Sequence, residues 1–424
     1  MVTLIQPAAL LRRLFEAAVA TADPMRVVTA HLPPRPKGRL LVIGAGKASA
    51  RMAEAVEAHY GPCEGLVITR YGYGRPCAGI KIVEAAHPVP DAAGLAATAR
   101  MLTMLSGLGP DDLVLALISG GGSALLCAPA FGMSLAQKQA VNAALLASGA
   151  PISQMNLLRK HLSLVKGGQL ARRAFPARVL ALMISDVPGD DPSLIASGPT
   201  VGENSTAQDA LAVVRRWNIA LPEQVVSAFS GGSGVVPASH LCLARVENRV
   251  IAAPSQSLQA AAALAVAEGC QVLVLGDALE GEARLVGQAQ AHMATVIAAA
   301  MDPAAKPIVI LSGGELTVTR SSKGIGGPNA EFCLAAAIAL NGAARIHAIA
   351  CDTDGVDGAA EVAGAMIGPD TLARAQAASC EPGAALAQND SHSFFASIGA
   401  QVVTGPTLTN VNDFRAFLIM PPTA

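Results

Sequence analysis

The chain has 424 residues, of which 52% are hydrophobic, and its formal net charge at pH 7 is -1. This length is enough for two globular domains with substantial cores. The 30 basic and 31 acidic residues give no bulk attraction to nucleic acid or to an anionic membrane surface. We therefore expect small-molecule substrates, no nucleic-acid or membrane partner, and anion binding only where cations are locally concentrated.

No segment has the pattern of a membrane span or a secretory signal. The longest uncharged run, between Asp112 and Lys138, is interrupted by three consecutive glycines and a proline, which break helices. The first 20 residues contain charged side chains and fit an amphipathic helix. The eight cysteines lack CxxC spacing, which argues against a zinc site or a disulfide framework. These features predict a cytoplasmic protein.

Short apolar runs alternate with longer alanine-rich segments, which predicts an α/β fold with mostly parallel sheets. The predicted strands are Leu40–Ile43, Gly65–Ile68, Leu113–Ile118, Val179–Ile184, Val272–Leu275, Ile308–Leu311 and His347–Cys351. The predicted helices are Lys47–His59, Gly94–Ser106, Leu135–Ala147, Leu258–Glu268, Glu282–Ala299 and Asn329–Leu340. We expect two three-layer α/β/α domains that flank an interdomain cleft.

A stretch rich in Gly, Ser and Pro, Ser230–Ser239, predicts the domain boundary. We expect a Rossmann-like domain over residues 1–235 and a second α/β domain over residues 236–424. The final strand, Ala416–Met420, could pair with either sheet.

The first predicted strand ends in a turn that contains Gly44, Gly46 and Lys47 and leads into a helix. Glycines let the backbone approach a ligand, and amides at a helix start favour an anion, so the turn predicts a phosphate or carboxylate site. A dinucleotide-binding turn would have Gly or Ala at position 49 and an acidic residue near position 70, where this chain has Ser49 and Arg70. A tight turn with a solvated Lys47 is the alternative.

Two further glycine turns follow apolar strands and offer backbone donors for phosphoryl oxygens. The first consists of Ser119, Gly120, Gly121, Gly122 and Ser123. The second contains Gly313, Gly314 and Glu315. Either could be a simple flexible turn, but at equivalent strand ends they favour a nucleotide site in a cleft.

Two acidic turns also end strands. Phosphoryl transfer needs a magnesium ion held by one or two carboxylates and an acceptor hydroxyl that is oriented or deprotonated. We predict Asp186 for the acceptor hydroxyl and Asp190 and Asp354 for magnesium, with the roles of Asp186 and Asp190 exchangeable. For each, an Asx-turn is the alternative.

A cluster of basic residues lies between the second glycine turn and the first acidic turn. Arg159, Lys160, His161 and Lys166 concentrate positive charge in a chain in which only 14% of the residues are charged. Arg159 could grip a small carboxylate bidentately, so we predict Arg159, Lys160 and His161 as substrate-binding residues. A solvated helical face is the alternative. His161 and His87 are individually ambiguous.

Long motifs resemble one known family. They are HPVPD at His87–Asp91, SGGGSAL at Ser119–Leu125, RKHLSLVKGGQLA at Arg159–Ala171, SDVPGDDPSLIASGPT at Ser185–Thr200, SGGELTV at Ser312–Val318, DTDGVDG at Asp352–Gly358 and GPTLTNVND at Gly405–Asp413. Nearly end to end, the chain is similar to the glycerate 2-kinases with a MOFRL C-terminal domain. The resemblance implies two α/β domains, ATP and a divalent metal as cofactors, phosphorylation of D-glycerate to 2-phosphoglycerate, and Lys47 in the active cleft.

One loop departs from the family pattern. Relatives often have the sequence GRGGRNQE, whereas this chain has Ile325 and Pro328 at the two arginine positions, followed by Asn329. If either arginine contacts phosphate or glycerate in relatives, this chain lacks about 2–4 kcal/mol of transition-state stabilisation or obtains it from elsewhere. Asn329 is predicted as a substrate-binding residue of this loop.

We therefore predict a kinase that uses ATP and Mg²⁺ to phosphorylate D-glycerate, with a homodimer as a candidate assembly. Two alternatives stay open. Many family members carry the label hydroxypyruvate reductase, which implies an NAD(P)H-dependent enzyme. Loss of both arginines would also suit a non-catalytic protein that binds nucleotides or sugar acids.

Overall fold

The computed structural model describes residues 5–130, 132–222, 225–226, 229 and 234–422. Its strands are β1 Leu40–Ala45, β2 Glu64–Arg70, β3 Ile80–Ala85, β4 Leu113–Ser119, β5 Arg178–Ile184, β6 Val246–Ala252, β7 Gln271–Val274, β8 Gly281–Glu282, β9 Ile308–Gly314, β10 Leu316–Thr317, β11 Ile346–Asp352, β12 Gly364–Ile367, β13 Gln401–Val402 and β14 Asp413–Ile419.

The α-helices of the described residues follow the same chain order. They are α1 Pro7–Thr21, α2 Pro24–Val27, α3 Ser49–Tyr60, α4 Ala92–Met104, α5 Gly122–Leu125, α6 Leu135–Ala147, α7 Ile152–His161, α8 Gln169–Ala174, α9 Ala207–Arg216, α10 Pro254–Ala267, α11 Ala283–Ala300, α12 Pro328–Leu340, α13 Thr371–Ala377, α14 Pro382–Ala387 and α15 Ser391–Ser397. Throughout these segments, no helix has the length and apolarity to cross a membrane.

The chain divides into two compact units. The first unit is Pro24–Ala252, and the second comprises the described residues before Pro24 together with those from Ala253 onward. The boundary that we predicted at residue 235 is wrong, because β6 pairs with β5 and extends the first sheet to Ala252. The predicted linker Ser230–Ser239 lies partly outside the described residues. Helix α1 packs on α10 and so belongs to the second unit.

The first unit contains a six-stranded sheet in the order β3-β2-β1-β4-β5-β6, with every neighbouring pair parallel. This is the order of a Rossmann sheet, so the predicted architecture is confirmed here. Strands β1, β4 and β5 are almost wholly buried, as apolar central strands of a parallel sheet should be. Helices α4 and α8 contribute to the core on one face, and α3 packs against β1, β2 and β4.

The second unit contains a mixed six-stranded sheet in the order β13-β12-β11-β14-β9-β7. Strands β7 and β9 are parallel, and the remaining neighbours pair antiparallel. The α/β class is confirmed, but the expectation of mostly parallel pairing is wrong for this sheet, because the C-terminal strand β14 inserts between β9 and β11. The strand predicted at Ala416–Met420 thus belongs to the second sheet.

Side chains of the second sheet alternate between two cores, which makes the unit three-layered. Val309 and Leu311 pack with α1 and α10, whereas Ile310 packs with α11 and α12 on the opposite face. This alternation follows from the period of two in a β-strand. Outside the sheet, β8 and β10 form a short parallel pair.

Candidate active site

The turns after β1 and β4 meet where the order of the first sheet reverses, between its two central strands. Crevices at such switch points are the usual ligand sites of open α/β sheets. The turn after β1 passes against Ser119 so closely that a Cβ at Gly46 would lie 2.0 Å from Ser119 Oγ, and Gly46 has φ +147°. Only glycine fits this approach and this backbone conformation.

Hydrogen bonds lock the two turns together. The amide of Lys47 donates to the Gly120 carbonyl at 2.8 Å, and that of Ala48 donates to Ser119 Oγ at 3.0 Å. Ser49 Oγ donates to the Leu117 carbonyl at 2.9 Å and lies 3.2 Å from Ser119 Oγ. Ser119 is fully buried by these contacts. The Lys47 and Ala48 amides, which a phosphate bound to the turn after β1 would need, are therefore already used within the protein.

Three predicted binding residues consequently have contacts that suit a structural role. Gly44 lies inside β1, where a Cβ would come within 2.4 Å of the Leu117 carbonyl oxygen. Gly46 provides the close approach of the turns, and Ser119 is the buried acceptor that joins them. These contacts favour a packing role for the three residues over the predicted anion cradle, which stays a prediction.

The next residues of the glycine turn begin helix α5. Gly121 has φ +78°, and a Cβ there would lie 3.1 Å from His87 Cδ2 and 3.2 Å from Lys47 Cγ. Lys47 and His87 thus both lie next to Gly121, on the side where a Cβ would point. The first amides of a helix have no partner within it, so Gly122 and Ser123 present donors that the helix itself does not use.

A cavity of about 150 Å³ opens beside this turn. It is lined by His87, Pro88, Gly121, Ser123, Ala124, Lys138, Asn142, Arg159 and Lys166. A small acid fits this space.

The cavity is strongly cationic. Lys138 and Lys166 are 5% and 2% exposed, and among the described residues neither forms an ion pair with a carboxylate. Burial lowers the pKa of Lys138 to about 8 and, together with the nearby Lys138 charge, that of Lys166 to about 7. Burial also lowers the pKa of Arg159. A bound anion would relieve the cost of burying these groups.

The structure brings one of the three predicted substrate-binding residues of α7 to the cavity. Arg159 lines it and donates to Asn156 Oδ1 at 3.1 Å. Lys160 instead forms a buried ion pair with Glu203 at 2.7 Å. His161 Nε2 lies 3.0 Å from Ser205 Oγ, and burial lowers the pKa of His161. The substrate role predicted for Lys160 and His161 is not supported, because adjacent helical residues point in different directions.

The acidic segment after β5 returns along the same end of the sheet. Asp186 follows β5, whose last residue pairs with Ser119 of β4. Asp190 adopts φ 55°, and its buried Oδ1 has no hydrogen-bond partner among the described residues. Ser197, with φ 63°, bonds to the Ser123 hydroxyl at 2.8 Å. Non-glycine residues with such φ values cost about 1–3 kcal/mol each and cluster at functional sites.

The predicted glycine turn of the second unit is not a turn. Gly313 and Gly314 are the last residues of β9 and pair with Phe414 and Asp413 of β14. The Gly313 amide donates to the Gly276 carbonyl at 2.8 Å. Their place in the sheet does not favour the predicted phosphate cradle at Gly313 and Gly314, which stays a prediction. Glu315 follows them and is exposed.

Asn329 belongs to a buried polar network of the second unit. Its Nδ2 donates to Asp413 Oδ1 at 2.7 Å, and its amide donates to Asp357 Oδ1 at 3.0 Å. Arg415 Nη1 contacts Asp413 Oδ2 at 3.0 Å, and His392 Nε2 contacts Asp357 Oδ2 at 3.0 Å. Burial raises the pKa of Asp413 to about 6, against the opposing effect of Arg415. Asn329 is fully buried, so its predicted contact with substrate is not supported.

Two further predictions concern loops of the second unit. Asp354 accepts the Val356 amide at 2.7 Å through Oδ1, which is the Asx-turn alternative. Within the described segments, no group of three or more His, Cys, Asp or Glu residues is arranged to hold a metal ion.

Ile325 is 53% exposed, and the Arg320 guanidinium donates to the Gly324 carbonyl at 2.6 Å. A cation therefore does lie beside the loop that lacks the family arginines.

Several cavity residues were not predicted. Lys138 and Asn142 come from α6, where Lys138 ends the longest uncharged run of the sequence. The position of Lys138 in a helix without another charged residue could have indicated a site, because lysine is seldom buried without a role. His87 lies in the HPVPD motif and Lys166 lies in the basic cluster, but neither was predicted as a site residue.

Sequence profiles match most of the chain. One described as "Domain of unknown function (DUF4147)" matches residues 10–230, and one described as "MOFRL family" matches residues 308–413. A protein of Agrobacterium vitis provisionally named hydroxypyruvate reductase is 53% identical over 96% of this chain and 94% of its own length. The D-glycerate 2-kinase of Thermotoga maritima is 38% identical over 95% of this chain and 96% of its own length. A crystal structure of glycerate kinase from Thermotoga maritima has a TM-score of 0.85 and 37% identity, and the match covers 97% of this chain and 99% of that chain.

Proposed function

The chain belongs to the glycerate 2-kinase family with a MOFRL C-terminal domain, and on that premise we propose that it transfers the γ-phosphoryl group of ATP to the 2-hydroxyl group of D-glycerate. The observation that carries the proposal is the small cationic cavity beside the glycine turn of the first unit. It has room for a three-carbon acid and the charge that a carboxylate requires.

Lys47 is the residue that we assign to the transferring phosphoryl group. It stands beside Gly121, whose turn borders the cavity, so a phosphoryl group there would be near an acceptor hydroxyl in the cavity. Phosphoryl transfer proceeds mostly by positioning and by neutralising charge on the equatorial oxygens. A lysine ammonium supplies that neutralisation, and the amides of Gly122 and Ser123 supply further donors.

Asp186 is assigned to the acceptor. It follows β5 at the same end of the sheet as the glycine turn, so its carboxylate could accept the proton of the 2-hydroxyl group. In a largely dissociative transfer this proton moves late, and orientation of the hydroxyl is the larger contribution.

The donor set near β5 fits a magnesium ion. Mg²⁺ in kinases is usually held by one or two carboxylates, several waters and the substrate phosphates, so a full protein cage is not required. Asp190 has a buried carboxylate oxygen without a hydrogen-bond partner in the described segments, and we assign it as a ligand. When bound, the ion would neutralise charge on the phosphate oxygens.

An NAD(P)H-dependent reductase is the second candidate, because a relative carries that name. A Rossmann dinucleotide site would place a pyrophosphate on the turn between β1 and α3. In this chain the Gly46, Lys47 and Ala48 amides already donate to protein acceptors. That arrangement favours the kinase.

The test is ADP formation that depends on D-glycerate and magnesium. ADP should be measured by chromatography, because an NADH-coupled readout would be confounded by a reductase. A parallel sample with NADH and hydroxypyruvate, without ATP, should show constant absorbance at 340 nm. NADH oxidation without ADP formation would favour the reductase, and binding of both substrates without turnover would indicate a non-catalytic binding protein.

A further inference from the structure

Two polar residues of α6 face the cavity one helical turn apart. Lys138 and Asn142 have the i, i+4 spacing that places side chains on one face of a helix, and both line the cavity. Lys138 is 5% exposed, and its Nζ reaches the Leu162 carbonyl only at 3.5 Å. Asn142 Oδ1 is buried and has no hydrogen-bond partner in the part of the chain that the structure describes.

This hydrogen-bonding capacity is unusual for a protein interior. An ammonium group has three donors, and buried cations are normally paired with a carboxylate. Among the described residues, Lys138 has a single long contact, whereas Lys166 donates to the Ser123 and Leu126 carbonyls at 2.8 and 3.2 Å. Arg159 has five donors and, in the same part of the chain, one bond, to Asn156. Lys138 and Arg159 therefore present donors toward the cavity that no acceptor of the described segments matches.

The chemistry of the lining identifies the ligand class. Converging cations require an anion, and a cavity of about 150 Å³ has room for a short carboxylate. Asn142 adds a hydrogen-bonding group beside Lys138. In either orientation of its amide it can bond to a hydroxyl group, because a hydroxyl both donates and accepts.

We propose that Lys138, Asn142 and Arg159 form the acceptor subsite, in which Lys138 and Arg159 bind the carboxylate of a short 2,3-dihydroxy monocarboxylate and Asn142 binds its 3-hydroxyl group. The inference rests on the proposed kinase function and deepens it. Lys138 and Asn142 are specificity-determining residues in this assignment, and the 2-hydroxyl group is left for phosphoryl transfer.

Lys138→Met is the decisive variant, because methionine keeps the length and removes the charge. We expect the KM for D-glycerate to rise about tenfold to hundredfold, the loss typical of one charge-assisted hydrogen bond, with the KM for ATP changed less than twofold. Lys81→Met, an exposed position on β3, is the matched control and should leave both constants unchanged. Removing an unpaired buried charge should not unfold the protein, so the melting temperature without ligand should hold or rise.

Asn142→Leu separates the hydroxyl contact from the carboxylate contact. D-Lactate has the carboxylate and the 2-hydroxyl group of D-glycerate but lacks the 3-hydroxyl group. We expect the variant to lower kcat/KM for D-glycerate about tenfold and to leave the inhibition constant of D-lactate unchanged. Equal losses for both acids would overturn the assignment of Asn142.

Different results would refute the acceptor subsite and the kinase function. If the wild-type protein phosphorylates D-glycerate but Lys138→Met keeps its KM, the subsite is wrong and the kinase stands. A rise in the KM for ATP alone would also overturn the subsite, because the cavity would then hold a nucleotide phosphate. If the wild-type protein forms no ADP, calorimetric titration with D-glycerate still decides the subsite: binding that Lys138→Met abolishes supports it, and equal or absent binding in both refutes it.

Discussion

Gly46→Ala tests whether the turn after β1 is a packing element or an anion cradle. The new Cβ would lie 2.0 Å from Ser119 Oγ and 2.6 Å from the Ser119 carbonyl oxygen. The hydroxyl can rotate away, but the carbonyl belongs to the central strand β4 and cannot. If the turn is a packing element, Gly46→Ala should lower the free energy of unfolding. If the turn is an anion cradle, the same substitution should lower the affinity for the nucleotide.

The expected loss can be worked from the contacts. A φ of +147° is costly for alanine, by about 1–3 kcal/mol. Displacing the Ser119 hydroxyl leaves the buried Ala48 amide without its acceptor, which costs about 1–3 kcal/mol more. We therefore expect Gly46→Ala to lower the free energy of unfolding by about 2–6 kcal/mol.

Urea denaturation followed by circular dichroism measures this difference. Gly61→Ala is the matched control, because Gly61 has φ +76° and open space around a new Cβ, so it should cost only about 1–2 kcal/mol. Ser119→Ala should reproduce the loss from the unpaired amide. If Gly46→Ala were no less stable than Gly61→Ala and instead raised the KM for ATP, the structural assignment of this turn would be refuted.

The remaining predictions concern charge. Lys47→Ala should lower kcat about a hundredfold with an unchanged unfolding midpoint, and near-full activity in steady-state assays would remove Lys47 from the mechanism. Asp413→Asn should lower the free energy of unfolding, measured in urea, by about 3–5 kcal/mol, because it leaves the Arg415 guanidinium buried without its carboxylate; a loss under about 1 kcal/mol would contradict this. With the pKa of Lys166 lowered to about 7 and that of Lys138 to about 8, kcat/KM for D-glycerate should fall as pH rises through this range, since a neutral amine no longer attracts a carboxylate. Rate assays from pH 6 to 9 should show this fall, which should be shallower in Lys138→Met. A kcat/KM that rises with pH would contradict the prediction.

The central strands were predictable because their sequences are unambiguous. Strands β1, β4 and β5 are continuous apolar runs, and such runs are typical of the middle of a parallel sheet. The edge strands β3 and β6 escaped prediction because charged residues interrupt them. Edge strands keep one side toward solvent, so their composition resembles that of a loop.

The second sheet shows what local patterns do not contain. Strands β9 and β11 were predicted from apolar runs, but β14 comes from the far end of the chain and inserts between them. Antiparallel pairing across this sequence separation is decided by tertiary packing. The domain boundary failed for a similar reason, since it depends on the pairing of β6 with β5.

The motifs led to the region of the proposed site but not to its details. Arg159 lines the cavity and Lys47 lies beside Gly121. Glycines that allow close strand packing have the same pattern as glycines that cradle phosphate, because both roles require the absence of a Cβ. The sequence pattern did not identify the cavity residue Lys138, which lies in a helix whose other residues are uncharged. Its unmatched donors become visible only when α6 and α7 are seen around one cavity.

The most direct test of the kinase is the identity of its product. Purified protein should be incubated with D-glycerate, ATP and Mg²⁺, and the product analysed by phosphorus NMR with correlation to the proton on the phosphorylated carbon. The expected product has a phosphate ester on the carbon that also bears the carboxylate, which is 2-phosphoglycerate. Phosphate on the terminal carbon, or ATP left intact while hydroxypyruvate is reduced by NADH, would contradict it.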